Sequence, residues 1–168
     1  MTSERDAQFH SFVVTHRAAL VRTATLLTAG DRHLAEDLVQ STLTKLYVAW
    51  PAYRRADNPD GYVRRVLVNV LADEHRRGWR RRERPMAELP DRPGTEADGA
   101  ELADGLRAAL RDLPPRMRAA LVFRYVYDLD VAATADALGC SEGTVKSQTA
   151  RALDRVRAVL GPVSPALS

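Results

Sequence analysis

VAATADALGCSEGTVKSQTARAL, residues 131–153, reads as two helices meeting at a tight turn. Leu138-Gly139 closes a short helix, with the glycine suited to the left-handed conformation that ends helices. Ser141 then caps a second helix, its hydroxyl placed to accept from the first free backbone N–H groups. Ala132, Ala133, Ala135 and Ala137 keep the first helix slim enough for close approach. A short helix, a Gly turn and a capped longer helix are the arrangement of a DNA-binding helix-turn-helix, whose second helix enters the major groove.

The faces of that second helix divide cleanly. Val145, Thr149, Ala152, Leu153, Val156 and Leu160 share one side and form its core stripe. Thr144, Ser147, Gln148 and Arg151 fall at i, i+3, i+4 and i+7 on another side. Two hydroxyls, an amide and a guanidinium are groups that read base edges or hold phosphates. A plain αα-hairpin would also show a polar face. The turn and the cap together favour DNA binding over that reading.

Upstream, Leu102, Leu106, Leu110 and Leu113 mark a helix broken by Pro114-Pro115, and Met117, Leu121 and Tyr125 mark another. Towards the N-terminus, Phe9, Phe12, Val13, His16, Leu20 and Leu27 follow helical spacing up to Gly30. Asp31 caps a second helix with Val39, Leu43, Leu46, Tyr47 and Trp50 inward, stopped by Pro51. Asn58-Pro59 opens a third, with Val63, Val66, Leu67 and Val70 inward. No segment alternates with period two for long enough to be a strand. The expected fold class is all-α.

Between the two helical groups lies PMAELPDRPGTEADGA, residues 85–100, with three Pro, two Gly and almost no large apolar residue. No period survives there, so we expect a flexible acidic linker. It divides the chain into a unit spanning 1–84 and another spanning 101–160, each near the lower limit for independent folding. The last residues, 161–168, are expected to be a disordered tail.

Charge follows the same division. The 168 residues carry 25 Lys plus Arg against 22 Asp plus Glu, a net +3, and 23 of the basic residues are Arg. Arg76–Arg84 has a local charge of +5, whereas Glu88–Asp112 has −4. A basic block before an acidic one signals a partner, commonly nucleic acid for the basic part. On the third helix, Tyr62, Arg65, Asn69, Asp73, Arg76 and Arg80 lie within roughly a quarter-turn of one another. Aromatic rings stack on unpaired bases while Arg follows phosphates, so this face suits partly single-stranded DNA, although a solvated polar face is the competing reading. Trp79 is read either as a stacking residue or as a packing one.

Other chemistries find no support. The one cysteine, Cys140, reads as a small packing residue, and four scattered His show no ligand spacing. There is no Gly-rich phosphate loop and no Ser/His/Asp pattern, so we expect no active site, metal or cofactor. No stretch approaches the ~18–20 apolar residues of a spanning helix, and MTSERDAQFH lacks the apolar core of a signal peptide. The expected location is the cytoplasm, without membrane insertion.

AEDLVQSTLTKLYVAW (35–50), NPDGYVRRVLVNVLADEHRR (58–77) and LPPRMRAALVFRYVYDLDVAATADALGCSEGTVKSQTARAL (113–153), in this order and spacing, resemble the extracytoplasmic-function sigma factors of bacteria. The resemblance implies two domains, sigma-2 and sigma-4, which bind core RNA polymerase and direct initiation at promoters. It implies that Asp37 and Gln40 dock on the clamp of the polymerase's largest subunit. It also implies that the 53–58 loop, YRRADN, with Arg54 and Asp57, lies beside the pocket for a base flipped from the −10 element. Asn69, Arg76 and Arg77 match the helix that reads and melts that element, and Tyr62, Arg65 and Arg80 share its face. Thr144, Lys146, Ser147, Gln148 and Arg151 match the helix that reads the −35 element. Ala133-Thr134-Ala135 stands where Glu-Ile-Ala is frequent, and Leu43 where Phe is. Promoter DNA and core polymerase are the implied partners, and an anti-sigma factor is a further partner class that the family allows. The competing reading is a helix-turn-helix regulator that binds operators without core polymerase; a helical adaptor is a third.

Overall fold

Capping residues set most of the element boundaries. The computed structural model describes residues 3–82 and 104–161, the side chains of 78–82 excepted. The expected linker at 85–100, Leu102 and residues 162–168 of the tail lie outside the described residues. Ser3 starts α1 (Glu4–Leu27): its hydroxyl accepts from the Asp6 N–H at 3.1 Å, and the Asp6 carboxylate accepts from the Ser3 N–H. Ala29 and Gly30, at φ 53° and 85°, then reverse the chain in two left-handed steps. The Asp31 carboxylate accepts from Leu34 N–H and begins α2 (Arg32–Val48). The Asn58 side chain accepts from Gly61 N–H at the start of α4 (Pro59–Arg82).

Pro51 does something other than expected. The stripe of α2 ends at Val48, but Pro51 sits in the first turn of a short helix, α3 (Trp50–Arg54). Its fixed φ suits a helix start as well as it blocks a helix interior. Tyr53 and Arg54 therefore belong to a helical turn rather than to the loop in which the sequence placed them.

The second group runs α5 (Asp104–Arg111), α6 (Pro115–Leu121), a π turn (Val122–Val126), α7 (Val131–Leu138) and α8 (Glu142–Leu160). The π turn corrects a second expectation. Tyr125 continues the Met117–Leu121 spacing, yet it is 55% exposed while Val122 and Phe123 are buried. A widened i→i+5 turn shifts the helical register by one residue, so the period no longer points Tyr125 inward. Leu160, expected in the α8 stripe, is 45% exposed at the end of its helix. Among the described residues there is no strand, and the fold is all-α.

Two cores hold these helices. The smaller gathers Ala109, Leu110, Leu113, Met117, Leu121, Ala152 and Val156 from α5, α6 and α8, joined by Ala29 from the α1–α2 turn. The larger contains Leu27, Leu38, Leu46, Trp50, Leu67 and Val70, and continues through Phe123, Ala135, Leu138 and Val145 of the second group. The two halves thus share buried surface, and α4 packs on α7. Helix α4 is built for this. Half-buried Val63 and buried Leu67 and Val70 lie on one arc of the helix, whereas Val68 and Leu71, both buried, lie on another.

Candidate nucleic-acid interface

The turn between α7 and α8 follows the sequence closely. Asp130 caps α7, its carboxylate accepting from Ala133 N–H at 2.7 Å. Gly139 closes α7 at φ 65°, and the Ser141 hydroxyl accepts from Thr144 N–H at 3.1 Å to open α8. Thr134 is fully buried, and its hydroxyl donates to Asp130 O at 2.9 Å, so the polar atom in the core is satisfied. Val145, Thr149, Ala152 and Val156 turn inward.

The opposite face of α8 is open to solvent. Thr144, Lys146, Ser147 and Arg151 are exposed, with no carboxylate paired to Lys146 or Arg151 among the described residues. Gln148 is half-buried, and its Oε1 is buried without a hydrogen-bond partner, so the amide must turn outward before it can pair bidentately with adenine. An unpaired guanidinium can pair with guanine or phosphate.

The face on α4 is more crowded. Arg65 and Asn69 are exposed one turn apart, and Arg65 lies 3.8 Å from Asp136 of α7. Tyr62 is half-buried, edge-on to Tyr53 at 6.2 Å. Asp73 takes Lys45 of α2 at 3.3 Å and pairs closely with Arg76. The hydrogen bond from Arg76, then that from Lys45, holds the Asp73 carboxyl below the usual aspartate range. Arg77 pairs with Glu74 at 3.4 Å. Arg80 lies on α4, but its side chain is outside the described residues. Arg76 and Arg77 are thus each paired with a carboxylate of their own helix.

Four further positions complete the expected set. Arg54 donates to Gln8 Oε1, which also accepts from Trp50 Nε1 at 3.4 Å, while Asp57 is exposed in the loop before α4. Sequence reading missed Gln8, whose contact with α3 is 42 residues away in the chain. Asp37 and Gln40 are exposed one turn apart on α2, Asp37 near His33 at 3.8 Å. The structure therefore leaves three separate polar surfaces: the α2 face, the α4 face with its neighbouring loop, and the α8 face.

Comparison with known proteins gives these surfaces a frame. Residues 12–81 match the family model Sigma-70 region 2, and residues 103–156 match Sigma-70, region 4. The RNA polymerase sigma-E factor of Streptomyces coelicolor is 37% identical over 158 residues, covering 89% of this chain and 84% of that protein. This chain is an extracytoplasmic-function sigma factor of the sigma-70 family. The ECF RNA polymerase sigma factor SigM of Mycobacterium tuberculosis is 31% identical to this sigma factor over 146 residues, 87% of the chain and 74% of the relative. For the fold, it is similar to the sigma factor RpoE in its complex with the anti-sigma factor NepR from Bartonella quintana (TM-score 0.71, 24% identity, 91% of this chain and 96% of that one). CnrH in complex with the cytosolic domain of CnrY is also similar (TM-score 0.57, 19% identity, 93% and 89% covered). No helix among the described residues of the sigma factor is long and apolar enough to cross a membrane.

Proposed function

We propose that this sigma factor binds core RNA polymerase and directs promoter-specific initiation, reading the −35 element with α8 and reading and melting the −10 element with α4. The observation that carries the proposal is the presence of region 2 and region 4, in that order, on one chain. An operator-binding regulator has use for the helix-turn-helix but none for residues 12–81. Residues 1–84 act as the polymerase and −10 unit, residues 101–160 as the −35 unit, and 85–100 as their connection. Each unit grips only part of a promoter, so tethering raises effective concentration instead of single-site affinity.

Roles follow from chemistry. Thr144, Lys146, Ser147, Gln148 and Arg151 contact bases and phosphates of the −35 duplex. Tyr62, Arg65, Asn69, Arg76, Arg77 and Arg80 lie along the −10 strand, with Arg54 and Asp57 beside a flipped base. Capture of an unstacked base shifts the closed-to-open equilibrium, so the chain catalyses no covalent step and uses no cofactor. It acts in the cytoplasm, with core polymerase. The structures of RpoE with NepR and CnrH with CnrY support an anti-sigma factor as a further partner class.

The test uses immobilised core polymerase. The chain should be retained by core, and Asp37→Arg, which reverses a charge on the proposed docking face of α2, should lower retention by about 2–5 kcal/mol with circular dichroism unchanged. Undiminished retention of a folded Asp37→Arg chain would remove α2 from the polymerase interface.

A further inference from the structure

A cavity of about 150 Å³ opens where α1, α4 and the π turn meet. None of the residues that line it carries a role assigned above. Its floor is apolar: Phe12, Leu20 and Phe123 are buried, and Val63 beside them is half-buried. Ala19, Asp60 and Tyr127, all exposed, stand where it meets solvent. An apolar cavity of this size takes a ring the size of benzene.

The polar groups around that floor differ in how far they are already used. The His16 ring stacks on Phe12 at 4.4 Å, and its Nδ1 donates to Phe12 O at 3.0 Å, since a carbonyl can only accept. The Thr23 hydroxyl donates to Ala19 O at 3.0 Å, which leaves the Tyr127 hydroxyl to donate to Thr23 at 2.6 Å. These side chains turn their protons to the protein. Arg64 is different. It lines the cavity half-buried, its Nε is covered without a hydrogen-bond partner, and no carboxylate pairs with it among the described residues. Arg65, Arg76 and Arg77 of the same helix each have a carboxylate partner. Asp60, one turn before Arg64 and also lining the cavity, makes no ion pair with it. A partly desolvated guanidinium with nothing to pair is short of an anion.

We propose that this cavity is a binding site for a small aromatic monocarboxylate. The ring occupies the floor, where Phe12 and Phe123 favour an aromatic over an aliphatic body of the same volume. The carboxylate meets the terminal nitrogens of Arg64, whose planar fork matches two carboxylate oxygens. Asp60 limits the charge of the ligand: at the rim it repels a second acid group, so a dicarboxylate is rejected where a monocarboxylate is held. The site goes beyond the sigma-factor reading and needs neither DNA nor core polymerase. A ligand held only by the folded chain also raises its stability with concentration.

The test uses the full free chain and para-fluorobenzoate, followed by fluorine NMR. Binding should be tighter than about 1 mM, within the ligand-efficiency ceiling for so small a molecule. Unlabelled benzoate should displace the probe. Acetate, which has the acid without the ring, and benzyl alcohol, which has the ring without the acid, should each compete at least tenfold less well, as should terephthalate. Arg64→Met keeps the stem, removes the charge and should weaken binding at least tenfold. Val63→Phe fills the floor and should do the same, with circular dichroism unchanged in both variants. If Val63→Phe does not fold, Arg64→Met and the competitors decide. In the unmodified chain the probe should shift the methyl resonances of Leu20 and Val63. Undiminished binding by Arg64→Met, or displacement by acetate as effective as by benzoate, would overturn the proposal in favour of adventitious attraction to an arginine-rich chain. Equal competition by benzyl alcohol would overturn the carboxylate assignment, and absence of binding at about 1 mM would overturn the site.

Discussion

Arg151 and Asn69 stand on exposed faces of different helices, α8 and α4, and so should fail at different steps. Arg151→Ala should weaken binding to a −35 duplex by about 1–3 kcal/mol if the guanidinium reads a guanine, and by less if it holds phosphate alone. Fluorescence anisotropy at two salt concentrations separates these cases, because a lost phosphate contact also flattens the salt slope. Asn69→Ala should leave −35 binding intact and reduce permanganate reactivity of −10 thymines, with rescue by a pre-melted bubble. Loss at the same step in both variants would contradict the division of labour. Asp73 gives a pH prediction at the same scale. Its folded pKa is depressed by Arg76 and Lys45, so the bridge between α2 and α4 contributes above the unfolded aspartate value of about 3.9 and is lost as pH falls through the lower folded value. In an NMR titration the Asp73 carboxyl should have its midpoint below that value, and Lys45→Met should move it upward. A midpoint unaffected by Lys45→Met would remove the α2 contact from the account.

Among the elements, the α7–α8 turn was the most legible, because each boundary is marked by a residue with a local reason to be there. Gly139 at φ 65° and the Ser141 cap need no knowledge of the rest of the chain. Gly139→Ala should cost about 1–2 kcal/mol of unfolding free energy from backbone strain alone, since a Cβ there would meet nothing within 4 Å. A urea melt reads this directly, and Gly139→Asn should lose less. An unchanged midpoint for the alanine variant would mean that the turn relaxes. The two misread elements lacked such markers. Pro51 has the same local signature whether it ends one helix or starts the next, and the π turn at 122–126 is a register shift that periodicity does not register. The three polar faces were legible as faces, because 3.6-residue spacing fixes them. Their internal pairing, Asp73 with Arg76 and Arg54 with Gln8, depends on rotamers and neighbours that the sequence does not order.

On the scale of the whole molecule, the division into two helical groups was readable from the Pro/Gly-rich stretch between them, but their contact was not. Val68 and Leu71 were the available signal: apolar residues off the main stripe of α4 that a single core could not cover. Arg118 gave none, being one of 23 arginines and distinguished only by the carbonyls around it. Its burial, with Arg111 nearby, pulls its pKa below the ordinary arginine range, which marks it as a fixed structural cation instead of a solvated one. The central claim, however, concerns what both halves do together on a promoter. Run-off transcription with purified core polymerase and genomic DNA, followed by sequencing of the transcript ends, tests it most directly. The account predicts defined starts that core alone ignores, each preceded by a shared pair of elements, with the Arg151→Ala and Asn69→Ala chains impaired at those same starts. Tight operator binding by the free chain, with no stimulation of core at any start, would contradict it.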